Sequence, residues 1–194
     1  VGDMALTVQG SRLTALDLAT GKSRWEKSFH GVDSQPAVVD DVIYGVVRRR
    51  GDDTGTPDHG RWDTQAVALD LKSGDLLWCT PLGHRGLSFV PPKVEDGTML
   101  IVDYDDVVAL NTTSGGKLWQ SSFAPAITEH ERLMARDLTT ASLYADARYG
   151  LVVGAPQVAR RYLYFVTRTG RLMAFDLAGR RLAWHHDVGA YVDA

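Results

Sequence analysis

The stretch that decides the fold is Ala15-Leu16-Asp17-Leu18-Ala19-Thr20-Gly21-Lys22-Ser23-Arg24-Trp25. It returns as Ala68-Leu69-Asp70-Leu71-Lys72-Ser73-Gly74-Asp75-Leu76-Leu77-Trp78. A third copy is Ala109-Leu110-Asn111-Thr112-Thr113-Ser114-Gly115-Gly116-Lys117-Leu118-Trp119, and a fourth is Ala174-Phe175-Asp176-Leu177-Ala178-Gly179-Arg180-Arg181-Leu182-Ala183-Trp184. From Ala to Trp is ten residues in every copy. Self-similarity at fixed spacing marks a repeat architecture in which each copy is one supersecondary unit.

Working outward, a second element precedes each copy. Pro36 to Tyr44 aligns with Pro92 to Leu100 and with Pro156 to Tyr164, and Val1 to Leu6 matches Val39 to Tyr44. The first unit therefore opens part-way through its leading element. Trp25 to Pro36 is eleven residues, and the same step past Trp184 reaches position 195, where a fifth element would start. Each unit reads as four short strands. Strand one ends at Asp40-Asp41 or Asp96-Gly97, dipeptides that tolerate the positive φ of tight hairpins. Strand two is apolar and β-branched, as in Val42-Ile43-Tyr44 or Met99-Leu100-Ile101-Val102. Strand three carries Ala-x-Asp, and a Thr/Ser-Gly turn leads into strand four with its Trp. The Asp and Thr/Ser side chains are suited to bonding backbone N–H groups in that turn. Apolar residues alternate in twos, which excludes a helical solenoid, and four-stranded units repeated at this length indicate propeller blades.

Ala-x-Asp-x-x-Thr-Gly-x-x-x-Trp resembles the tryptophan-docking motif of the quinoprotein-type (PQQ-like) β-propeller repeat, and the resemblance covers essentially the whole chain. Copy one matches at every position. Copy two has Ser73, copy three has Asn111 and Ser114, and copy four places Gly179 one position early with Arg180 at the glycine position. The resemblance implies that Trp25, Trp78, Trp119 and Trp184 dock against neighbouring blades, helped by Asp17, Asp70, Asn111 and Asp176. A large flat ring burying ~150–250 Å² suits a wedge between two sheets. The expected fold is all-β, four blades at about 1–30, 31–85, 86–125 and 150–194. Four units allow a small four-bladed propeller or half of a seven- or eight-bladed ring; the family's usual larger ring favours the second, with self-association or further blades covering its open ends.

Two units are longer than the others. From Tyr44 to Ala68 is twenty-four residues where Leu100 to Ala109 is nine, and Trp119 to Pro156 is thirty-seven where Trp25 to Pro36 is eleven. The insertions fall at 48–62 and 120–148. Thr128-Glu129-His130-Glu131 resembles a capping box, and Leu133, Met134, Leu138 and Ala141 keep helical spacing, which predicts a helix over 128–146. Strand two–three loops and blade-to-blade connections leave the same face of a blade, so both insertions crowd one end. Long loops on a rigid scaffold are where binding concentrates. Arg48, Arg49, Arg50, Asp52, Asp53, His59 and Trp62 are therefore the candidate partner-binding patch, for a protein or small ligand, against the alternative of a solvated loop.

Composition narrows the function classes. Among 194 residues, 44% are hydrophobic and 23% charged, enough for one domain with a sizeable core. A net charge of −3 argues against broad phosphate contact and so against nucleic acid. No run approaches the ~20 apolar residues of a membrane span, and the first residues do not read as a signal peptide. With Cys79 alone, no disulfide forms within these residues. His30, His84, His185 and His186 each follow a docking Trp but lack tight ligand spacing, as do Glu129-His130-Glu131 and Asp58-His59, so no metal is assigned. Asp103-Tyr104-Asp105-Asp106 lacks the calcium-loop pattern and reads as a turn before strand three. Gly115-Gly116 is a turn, and no Gly-x-Ser-x-Gly elbow supports a hydrolase.

The resemblance implies three roles. One is an extracytoplasmic scaffold like the lipoprotein propeller of the outer-membrane β-barrel assembly machinery. Another is the sensor propeller of a bacterial membrane Ser/Thr kinase, towards which 16 Arg against 5 Lys leans as a habit of GC-rich coding. The third is a fragment of a PQQ-dependent quinoprotein dehydrogenase, whose family site uses a vicinal Cys-Cys pair beside the quinone and a calcium ion. A single cysteine does not supply that pair, so neither PQQ nor calcium is assigned, and the expectation is a non-catalytic, periplasmic or cell-surface scaffold.

Overall fold

The computed structural model describes residues 2–32, 34–50, 62–83, 90–103, 105–127, 152–167 and 169–189. They form four antiparallel sheets. The first holds β1 (Met4–Gln9), β2 (Arg12–Asp17) and β3 (Ser23–Ser28). The second holds β4 (Gly31–Val32), β5 (Ala37–Val39), β6 (Val42–Arg50), β7 (Trp62–Asp70) and β8 (Leu76–Gly83), with β4 and β5 both pairing with β6. The third is β9 (Lys93–Glu95), β10 (Thr98–Asp103), β11 (Asp106–Asn111) and β12 (Lys117–Ser122). The fourth is β13 (Val152–Ala159), β14 (Tyr162–Thr167), β15 (Arg171–Asp176) and β16 (Arg181–Asp187). This is the all-β blade architecture expected from the repeats.

Local chemistry explains the strand ends. Asp40 and Asp41 take φ of 50° and 62°, and Asp96 and Gly97 take 48° and 71°, the left-handed pair that matches a hairpin turn to strand twist. The ten-residue step of the repeat is a pairing register: Ala15 faces Trp25, Ala68 faces Trp78, Ala109 faces Trp119 and Ala174 faces Trp184. In all four sheets the ladder shifts immediately after that Ala. Such a bulge bends and twists the strand, here just ahead of the Asp/Asn turn.

The core lies between the sheets as three separate clusters. Met4, Leu13 and Ala15 of blade one meet Ile43, Leu69 and Leu71 of blade two. Tyr44, Val46, Ala66 and Ala68 from the other face of blade two meet Met99, Ile101, Val108 and Leu110 of blade three. Leu100, Val102, Val107 and Ala109 then meet Leu163, Phe165, Met173 and Phe175 of blade four. Odd and even positions of one strand thus serve opposite seams, as a period of two requires.

The 48–62 insertion differs in one respect from a plain loop. Arg48, Arg49 and Arg50 continue β6, and Trp62 begins β7, with Arg48 opposite Thr64 and Arg50 opposite Trp62. Continued pairing satisfies the backbone groups that a loop would leave to water, so the strands run to nine residues where β10 and β11 have six. Asp52, Asp53 and His59 lie outside the described residues, as does the helix expected over 128–146. No helix among the described residues is long and apolar enough to cross a membrane.

Candidate functional site

The most repeated geometry is the seam where one blade meets the next, and it grows from the Asp/Asn turn. Asp17 Oδ1 accepts the N–H groups of Ala19 (3.1 Å) and Thr20 (2.9 Å), and the Thr20 hydroxyl (2.9 Å). Asp70 Oδ1 accepts Lys72 and Ser73 N–H at 2.9 and 2.8 Å, and Asn111 Oδ1 accepts Thr113 and Ser114 N–H at 3.0 and 2.9 Å. Asp176 does the same for Ala178 and Gly179 at 3.1 and 3.2 Å. Short polar side chains close such turns on their own backbone, which leaves carbonyls facing outwards.

Those carbonyls receive the preceding blade. Trp25 Nε1 donates to Leu71 O at 3.0 Å, and Trp78 Nε1 donates to Thr112 O at 2.7 Å. The rings lie on the turn glycines: a Cβ on Gly74 would sit 2.8 Å from Trp25, and one on Gly115 would sit 2.6 Å from Trp78. Both glycines also have positive φ, 74° and 70°, so each is required for conformation and for space. Two residues beyond each Trp, a side chain bonds the same turn. Lys27 Nζ donates to Gly74 O at 2.9 Å, Thr80 Oγ1 to Gly115 O at 2.7 Å, and Ser121 Oγ to Arg180 O. These donors were not singled out from the sequence, although a polar residue two places after Trp in every copy was the available signal.

The third seam is built differently. Trp119 stacks on Phe175 with centroids 6.0 Å apart and planes at 10°. Arg180, at φ 50°, holds its guanidinium 5.9 Å from the Trp119 centroid. Trp184 lies on the outward face of blade four, 43% exposed, beside the Tyr164 ring at 6.0 Å.

Charge supports the first turn. Arg24 pairs with Asp17 at 2.6 Å and also with Asp3. The Arg24 guanidinium, with the Thr20 hydroxyl and N–H, draws the Asp17 carboxyl down to about 2. Asp70 is lowered chiefly by the Ser73 N–H.

At the opposite end of the blades, the extended β6 is fastened to the connector from blade one. Gly31 pairs opposite Arg48, the His30 N–H donates to Arg48 O at 3.2 Å, and a Cβ on Gly31 would sit 3.0 Å from Arg48 Nε. Of the candidate patch, the structure describes Arg48, Arg49, Arg50 and Trp62 on this ribbon. His185 and His186 sit in β16 opposite Met173 and Leu172, and His84, His130 and His59 lie outside the described residues. Asp106 opens β11 and accepts from Gln120 Nε2 at 2.6 Å. Among the described residues no three His, Cys, Asp or Glu side chains converge.

Blades joined through tryptophan and an Asp/Asn turn define a β-propeller of the PQQ-like repeat class. A family profile described as outer membrane protein assembly factor BamB matches residues 9–127, and the chain belongs to that family. BamB of Yersinia pestis is 28% identical over 177 residues, 84% of this chain and 37% of that protein. BamB of Salmonella typhimurium is 30% identical over 159 residues, 80% of this chain and 32% of that protein. The chain therefore spans about a third of the length of these relatives. The crystal structure of BamB from Moraxella catarrhalis superposes with a TM-score of 0.60 at 20% identity, over 97% of this chain and 50% of that one. Quinohemoprotein alcohol dehydrogenase from Comamonas testosteroni gives 0.61 at 14% identity, over 95% of this chain and 33% of that one. At such identities the likeness is one of fold.

Proposed function

We propose that this chain is a non-catalytic propeller scaffold that holds a protein partner on the extracytoplasmic side of a bacterial outer membrane, without a resident cofactor. The family match over residues 9–127 carries the reading, since the matched relatives are named as outer membrane assembly factors. The rigid part is the seamed stack of blades. The binding part is the end at which both insertions are expected, marked by the β6–β7 ribbon that carries Arg48, Arg49, Arg50 and Trp62, with Asp52, Asp53 and His59 in the sequence between its strands. A β-ribbon fastened to the neighbouring connector presents side chains with less ordering cost than a free loop.

A photo-crosslinking residue at Arg49 tests this in cells, with captured proteins identified by mass spectrometry. Capture of an outer-membrane assembly protein, lost when residues 51–61 are removed, is the expected result. Unchanged capture after that removal overturns the ribbon's role. The dehydrogenase reading draws on a 14% identical fold neighbour. Titration with PQQ and calcium followed by absorbance tests it: no spectral change is expected, and stoichiometric uptake would restore the enzyme.

A further inference from the structure

Opposite the β6–β7 ribbon, each blade ends in a tip made of two turns joined by a backbone bond. Leu71 N–H donates to Asp41 O in blade two, Thr112 N–H to Gly97 O in blade three, and Leu177 N–H to Arg161 O in blade four, at 2.9, 3.0 and 2.9 Å. The tips differ in charge. Blade two places Asp40, Asp41, Asp70 and Asp75 there against Lys72, a net of −3. Blade four places Arg160, Arg161, Arg180 and Arg181 there against Asp176, a net of +3. Asp176 offsets little of this, because it closes its own turn and takes up only Arg161, at 3.2 Å. Arg180 leans on Trp119, while Arg160 and Arg181 are exposed and have no ion pair among the described residues.

The backbone makes these arginines costly. Arg160 and Arg180 have φ of 57° and 50°, and the other described non-glycine residues at positive φ are all aspartates: Asp40, Asp41 and Asp96. A long side chain is uncommon in that region, and a strained residue that the fold does not require points to a function. Exposure belongs to the tip itself, since the counterparts Asp40, Asp41, Asp75 and Asp96 are exposed with the following blade in place. We propose that the blade-four tip is a second contact surface, apart from the β6–β7 ribbon, and binds an Asp/Glu-rich segment of a partner protein. Guanidinium groups take carboxylates through paired hydrogen bonds, and two adjacent turns present them as one narrow cluster. A broad anionic surface such as a phospholipid bilayer also meets the acidic tips of blades two and three at the same end, whereas a chain reaching only blade four does not. On a protein of net charge −3, the cluster steers an acidic chain to that one place.

Fluorescence anisotropy with a labelled synthetic peptide of alternating Asp and Glu provides the test, with circular dichroism confirming the fold of each variant. Binding that weakens as salt rises is expected. Arg160→Glu combined with Arg181→Glu should weaken it about 10-fold or more. Arg12→Glu combined with Lys22→Glu, the same change in net charge on blade one, should leave it within about 2-fold. No measurable binding, or equal losses in the two double variants, overturns the proposal. Arg160→Gly should weaken the peptide while raising the thermal midpoint; a lowered midpoint would assign the arginine to the fold and overturn its role. Pelleting with phosphatidylglycerol vesicles should not respond to the blade-four reversal. Vesicle binding lost in that variant would replace the acidic segment with a membrane, and self-association lost in it would replace the partner with a second copy.

Discussion

The first two seams and the third reach the same end by different chemistry. Trp25 and Trp78 lie on a glycine and donate to a carbonyl of the next blade's turn. Trp119 lies on Phe175 beneath the guanidinium of Arg180. Where the ring meets bare backbone, the turn admits only glycine. Where leucine at the position after the paired Ala becomes Phe175, the ring finds a flat partner and the glycine position is released to arginine. The docking tryptophan is thus constant, while its receptor is set by two linked positions.

Substitution at the ring separates covered from uncovered copies most strongly. Trp78→Ala is expected to cost about 3 kcal/mol by removing a packed indole, against less than about 1 kcal/mol for the exposed Trp184→Ala. Urea unfolding of each variant measures the difference, and equal losses would break the comparison. Next is the turn glycine. Gly115→Ala adds a Cβ onto Trp78 at positive φ and should cost about 2–4 kcal/mol, whereas Gly21→Ala meets open space and should cost only the ~1 kcal/mol of backbone strain. Thermal midpoints rank the two.

Smaller still is Arg180→Gly, which loses a cation–π contact of about 0.5–1 kcal/mol and relieves a left-handed residue by about 1 kcal/mol. The net change should be near zero by chemical denaturation, and a large loss would show Arg180 to be indispensable to the third seam. The smallest effect is on pH dependence. Because the folded Asp17 carboxyl is lowered to about 2 from 3.8, its support for the first turn is full above 3.8 and is lost as pH falls through 2. The third turn uses Asn111 and does not titrate. Amide exchange at Thr20 should rise on acidification before that at Ser114, and Asp17→Asn should abolish the difference.

Much of this was legible in the sequence because repetition exposes registers. The constant Ala-to-Trp step is the strand three–four pairing itself, and Asp with Thr, Ser or Gly three places on is the closed turn. Less was legible where one copy departs. Arg180 at the glycine position was visible, but its placement over Trp119 goes with Phe175, a residue of β15 that meets the ring only across a seam. The arginine-rich segment after Val47 reads as loop by composition, yet Arg48–Arg50 stay in β6 because β7 offers partners as far as Trp62. The donors two places after each Trp share only their polarity, so Lys27, Thr80 and Ser121 become recognisable as one device once their bonds to the next turn are seen.

Dividing the core into three seam clusters has a thermodynamic consequence. Among the described residues each sheet packs its apolar side chains on adjacent sheets, with Val90, Phe123 and Ile127 of the connectors adding to the third cluster, so cooperativity passes from neighbour to neighbour as in a one-dimensional lattice. Among the described residues, β7 and β11 each contribute to two of these clusters, so amide protection should be highest there.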